Sequence, residues 1–297
     1  YDILQDTSNI LVVDENASTL TAVDPARVSL NDSAKVPSSS KVALGNRTAA
    51  ILDQKTGELW VVPAQGVSSF EAEVNEPVAE LGAGADVAVA KDGTVFGLAP
   101  ERGEVVTVPV DNEGEALDAS AASVGELDAA AKPTITAVGR TPVVLDRAAG
   151  VVTSPGGMRT EIRGADKAVL QQSSENTDAV AISTANALVS VPLDGSEPTE
   201  VDAGGDGTAA APVWLRGCTY GAWAGTATFI RECPGTTNDV NAQVEGAEDA
   251  KSLVFRVNRD VIILNDAVGG AAWLANESLQ RVDNWNDLTP PEGETEN

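Results

Sequence analysis

The chain has 297 residues, with 45 acidic against 19 basic side chains, a formal charge of −26, and no histidine. An excess of carboxylates argues against nucleic acid as a partner, because phosphate binding needs a basic footprint. Without histidine, Ser-His-Asp, Cys-His and His-zinc chemistries are excluded, which leaves carboxylates, lysine, tyrosine and hydroxyls for any catalysis.

In chain order, the opening at Tyr1 predicts a processed or trimmed chain, with any secretion signal upstream. The first clear element is Ile10-Leu11-Val12-Val13-Asp14, an apolar run ending in an acid. The same pattern returns at residues 50–53, 143–146, 180–183 and 262–265, with looser copies at 95–98 and 221–224. Each run follows a small turn at Thr7, Thr48, Thr94, Thr141, Thr177, Thr219 or Asp260. Thr7 to Asp260 spans 253 residues in six intervals, about 42 per unit, which is the length of a four-stranded propeller blade.

A second run follows glycine-closed turns such as those ending at Gly57, Gly103 and Gly150, and it finishes at Pro63, Pro109, Pro155, Pro192 or Pro234. Glycine favours the tight reversal, and proline, lacking an N–H, marks where a strand stops. The segments at residues 42–44, 87–89, 135–137, 169–170, 213–215 and 253–255 supply inner strands, and a fourth strand is poorly marked. Runs this short fit strands buried on both faces better than helices. Alanine-rich helix competes only over residues 116–132. The expected fold is all-β, a seven-bladed propeller over residues 1–287, with six or eight blades as alternatives. Residues 288–297, proline-rich and acidic, read as a linker. No apolar run approaches the roughly 18 residues of a membrane helix, so no membrane insertion of this segment is expected.

Residues 1–6 (Tyr-Asp-Ile-Leu-Gln-Asp), 263–274 (Ile-Leu-Asn-Asp-Ala-Val-Gly-Gly-Ala-Ala-Trp-Leu) and 282–287 (Val-Asp-Asn-Trp-Asn-Asp) resemble the N-terminal region of large actinobacterial surface proteins. In that family a propeller-like region precedes an acidic linker and fibronectin type III or Ig-like repeats. The resemblance implies an extracellular or cell-surface location, non-catalytic adhesion or binding, and an additional strand or blade upstream. It supplies no active-site motif. The domain is expected to be monomeric within a larger chain.

Cys218 and Cys233 bracket a hairpin. With Gly225-Thr226 at its turn, they fall on one rung of neighbouring strands, where a disulfide with a Cα separation of about 5.5 Å is feasible. A bridge points to an oxidising compartment, and buried free thiols are the alternative. Arg47, Lys91, Arg140, Arg216 and Arg259 all fall at the turn between inner and second strands. On a propeller these turns surround the channel on one face, so the cations would form a partial ring able to hold a polymer phosphate or a uronic acid. The alternative is that each pairs with an acid on its own blade, a contact contributing about 0–1 kcal/mol.

Asp14, Asp53 and Asp146 close the far ends of second strands, where short carboxylates cap turns. No Asp-x-Asp-x-Asp-Gly calcium loop is present, and no metal or cofactor is assigned. The partner expected is a protein or a cell-envelope polysaccharide. The competing function is a glycan-processing enzyme with paired carboxylates in the channel, but Trp60, Trp214, Trp223, Trp273 and Trp285 mostly lie in strand runs and read as core rather than sugar platforms.

Overall fold

Each short β-branched run becomes a strand, and each tight turn folds it onto the next, so the chain builds up as consecutive meanders. The computed structural model describes residues 2–27, 29–276 and 279–282. Seven antiparallel sheets follow one another in chain order, forming a seven-bladed β-propeller. Blade 1 takes residues 2–35, and blade 2 residues 40–80. Blades 3 and 4 take 86–123 and 134–161, blades 5 and 6 take 169–202 and 208–243, and blade 7 takes 253–281. Within every blade the strands run from the axis outwards in sequence order; in blade 6 the innermost position is divided between Thr208–Ala209 and Val213–Leu215, which both pair with Cys218–Ala224. All seven apolar-then-polar runs are second strands, and the proline-ended runs are third strands.

Residues 116–132 form no α-helix. They contain the outer strand Ser120–Ser123 and a single 3-10 turn, Ala129–Ala131. Here the hydrogen bonds offered by the neighbouring strand Glu104–Val108 override alanine's helical preference. The turns after second strands close as expected: Gly57, Gly103 and Gly150 have φ of 81°, 61° and 69°. At Gly57 a side chain would also collide with the next loop, since a Cβ there would lie 2.2 Å from the Gly82 nitrogen.

The core lies between blades rather than within them. Alternate residues of a strand face opposite neighbours, so Ile51 and Trp60 of blade 2 pack against Leu11 and Leu20 of blade 1, while Leu52 and Leu59 pack against Val87 and Val95 of blade 3. This is why Thr48–Asp53 is buried along its whole length. The same arrangement continues to the contact of blades 6 and 7, around Phe229, Phe255 and Trp273. The indole N–H groups of Trp60, Trp223 and Trp273 donate to the carbonyls of Asn75, Thr184 and Glu245, so these rings are core, while Trp285 and the 288–297 segment lie outside the described residues. Between blades 7 and 1 the inner strands meet, and Arg256 pairs with Asp2.

Candidate functional site

The strand register places all five expected cations on one face. The rungs Gly45–Thr48, Val138–Thr141, Leu215–Cys218 and Asn258–Val261 flank the turns carrying Arg47, Arg140, Arg216 and Arg259, and the Ala90 N–H bond to the Thr94 carbonyl closes the turn carrying Lys91. Three of the cations form ion pairs. Lys91 lies 2.9 Å from Asp6, Arg140 2.5 Å from Asp92, and Arg216 2.6 Å from Asp260. Arg47 donates to the Asn112 carbonyl at 3.2 Å, while exposed Arg259 makes no ion pair among the described residues.

The expectation of pairing within a blade is corrected by these contacts. Arg140 of blade 4 reaches blade 3, Arg216 of blade 6 reaches blade 7, and Lys91 of blade 3 passes over blade 2 to reach blade 1. Near the axis the turns of different blades converge, so the nearest acid to a turn cation belongs to another blade. Amide side chains continue the pattern: Asn9 donates to the Asn46 carbonyl at 2.7 Å, and Asn46 to that of Asp92 at 3.4 Å.

The chain after the inner strand of blade 5 links several blades. The inner strand of blade 5 is only Val169–Leu170, and the chain beyond it crosses between blades. Ser174 bonds to the backbone of Ala137 and Gly139 in blade 4, while Gln172 meets Pro212 of blade 6 through its N–H and the Phe255 carbonyl of blade 7 through its side chain. The converging donors are therefore largely committed to holding blades together.

One concavity lies off the axis, between blades 3 and 4. It is a cleft of about 910 Å³ whose lining includes Phe96, Thr107 and Ala122 from blade 3 and Pro142 and Pro155 from blade 4. Arg47, Arg140, Asp92 and Asp111 stand on its polar side. Burial alone would raise the Asp92 carboxyl, but the Thr94 N–H and the Arg140 guanidinium outweigh it and hold this acid below its usual range. The cleft thus brings together two of the five expected cations, Arg47 and Arg140; Lys91, Arg216 and Arg259 do not line it.

Asp14, Asp53 and Asp146 accept the N–H groups of Ala17, Lys55 and Ala149, as expected of turn caps. At Asp53 burial again acts upwards, and the Lys55 N–H and Ser39 hydroxyl overcome it and lower the carboxyl. Sequence reasoning missed Asp86 on the opposite face. This buried acid takes the Lys41 ammonium at 2.5 Å and the Ile135 N–H at 3.0 Å, thereby joining blades 2, 3 and 4. An aspartate opening an inner strand between Ala85 and Val87 was the available signal.

Cys218 and Cys233 form a disulfide across the second and third strands of blade 6, on the rung next to Thr219–Glu232. Their Cα atoms are 4.2 Å apart, closer than expected, because the strands approach more tightly at rungs without hydrogen bonds.

Neither a family model nor a curated protein sequence matches the chain. Solved propellers do. Virginiamycin B lyase from Staphylococcus aureus, in an inactive form with quinupristin, superposes with a TM-score of 0.60 at 12% identity, covering 89% of this chain and 90% of that one. The dihydro-heme d1 dehydrogenase NirN gives 0.60 at 12%, covering 93% and 63%, and BamB from Moraxella catarrhalis gives 0.53 at 15%, covering 88% and 78%. The chain is accordingly a β-propeller domain, and at these identities the likeness extends to the fold alone.

Proposed function

We propose that this propeller is a non-catalytic binding module of a larger extracellular or surface-displayed protein, and that it engages a protein partner through the face carrying the inner-to-second turns. The observation that carries this reading is the cleft between blades 3 and 4, which is lined together by apolar Phe96, Pro142 and Pro155 and by charged Arg47, Arg140, Asp92 and Asp111. Such a combination suits a polypeptide better than a uniformly charged polymer. The disulfide supports an oxidising compartment, as does the resemblance of the chain ends to actinobacterial surface proteins.

Two observations weigh against the enzymatic alternative. A carboxylate acting as general acid has to hold a proton near neutral pH, and Asp92 is shifted the other way. The lyase with a similar fold is inactive when one histidine is replaced by alanine, and this chain contains none. Turnover across a glycan panel that disappears on Asp92→Asn would restore the enzyme.

An anionic polysaccharide is favoured by one feature, the convergence of Arg47 and Arg140 on the cleft. Protein and glycan arrays probed with the isolated chain separate the readings. Binding to protein features that is lost in Pro142→Glu supports the protein partner. Retention on uronic-acid or phosphate polymers that weakens with salt and is lost in the Arg47→Ala, Arg140→Ala double variant would replace it with the polysaccharide.

A further inference from the structure

The outer edge of blade 3 differs from the other outer edges. Ser29–Lys35 carries Asp32 and Lys35 and meets its neighbour through a register shift, while Arg159–Glu161 and Thr199–Asp202 carry charges. Ala79–Glu80 and Gln280–Arg281 are two residues long, and Val240–Gln243 is uncharged but half-buried at alternate positions. Charge, brevity and irregularity are the usual protections of a sheet edge. Ser120–Ser123, with the sequence Ser-Ala-Ala-Ser, has none of them and is exposed at every residue.

Its free hydrogen-bonding groups can be identified. The Val124 N–H bonds to the Gly103 carbonyl, and the register runs Glu104–Ser123, Val105–Ala122, Val106–Ala121 and Thr107–Ser120. Because bonded rungs alternate, Ala122 and Ser120 bond inwards, and Ala121 and Ser123 point their N–H and C=O groups away from the sheet. On the face towards blade 4, Ala122 lines the cleft with Phe96 and Thr107. A strand laid along this edge would therefore place alternate side chains at the outer opening of the cleft.

The surroundings select the charge of that strand. Residues 116–128, which carry the strand and its two ends, contain Asp118, Glu126 and Asp128, all exposed, and no lysine or arginine. A second copy of this chain would bring the same three carboxylates to the seam, on a molecule of charge −26.

We propose that a lysine- or arginine-rich extended segment of a partner protein adds to Ser120–Ser123 as a fifth strand of blade 3. Main-chain bonds to Ala121 and Ser123 would supply the pairing, and the carboxylates of Asp118, Glu126 and Asp128 the charge selection. The proposal rests on the binding role above and names the partner's chemistry.

The test titrates the chain with a fluorescent peptide alternating lysine and threonine and with its glutamate–threonine counterpart, and follows amide exchange. The basic peptide should bind with salt-sensitive affinity and slow exchange at Ala121 and Ser123, and the acidic one should not bind. Ala121→Pro removes an outward N–H without breaking an inward bond and should weaken binding about tenfold or more. Ala121→Lys, which cannot disturb the backbone in the same way, should weaken it also. Basic-peptide binding that is indifferent to both variants, or that leaves exchange at Ala121 and Ser123 unchanged, overturns strand addition. Self-association lost in Ala121→Pro overturns the choice of partner in favour of a second copy. If the basic peptide fails while array partners are still bound, the edge proposal falls and the binding role stands; if the chain binds nothing, both fall.

Discussion

At Asp86 a single carboxylate serves three blades, and its burial makes it matter more than any surface ion pair. Replacing it with alanine leaves the Ile135 N–H without its acceptor and Lys41 without its counter-ion. Asp86→Ala should cost about 2–4 kcal/mol in urea unfolding, whereas Arg216→Ala, which breaks an exposed pair with Asp260, should cost under about 1 kcal/mol. Equal costs would show that cross-blade pairing is not graded by burial. Titration adds a pH window at the same scale. Asp53 and Asp92 are lowered in the fold, so their stabilisation is present above the ordinary carboxylate pKa and is lost as pH falls through their folded values. Unfolding midpoints measured downwards from pH 6 should decline in the acid range, and Asp92→Asn should flatten that decline. Glu232 has the opposite sign, since burial and then the Asp239 carboxylate raise it. Ionised Glu232 therefore opposes folding at neutral pH, and Glu232→Gln should raise the melting temperature slightly at pH 7 and leave it unchanged or lower below pH 4. A drop at pH 7 would mean that the charge serves a contact instead.

Among the elements, the hairpin of blade 6 has a covalent constraint. The bridge between Cys218 and Cys233 closes a sequence separation of 15, for which the loss of unfolded-state freedom amounts to about 3 kcal/mol. Reduction, or the Cys218→Ser, Cys233→Ser double variant, should lower the urea midpoint accordingly. An unchanged midpoint would show that packing around Phe229 and Tyr220 alone holds the hairpin. This element was legible in the sequence because strand pairing across a short turn is local: once Gly225-Thr226 is placed at the turn, the rung follows. The second strands and their glycine-closed turns were legible for the same reason. The chain from Gln172 to Ser174 was not, because Gln172 and Ser174 bond to blades 4, 6 and 7, and nothing in a short polar run announces such distant acceptors.

For the whole molecule, the question is where a ring built from consecutive meanders is weakest. Buried clusters join blades 1 to 2, 2 to 3 and onwards to 6 and 7. Among the described residues the contact of blades 7 and 1 relies on Arg256–Asp2, with Ile3 and Val261 still about half exposed. Local opening follows low apolar burial, so amides of Asn9–Asp14 and Val261–Asp266 should exchange faster than those of Thr48–Asp53, and Arg256→Ala should widen the gap with little loss of global stability. Uniform exchange around the ring would contradict this.

The sequence alone determined the repeat, the order of strands within each blade, the turn caps and the cysteine rung, because these depend on periodicity and on neighbours a few residues away. Only the closed ring decided which acids answer Lys91, Arg140 and Arg216, that Asp86 joins three blades, and that a cleft opens between blades 3 and 4. The partners in those ion pairs are 44 to 85 residues apart in the chain, and they meet because rotation about a common axis, not local geometry, makes the narrow ends of different blades neighbours.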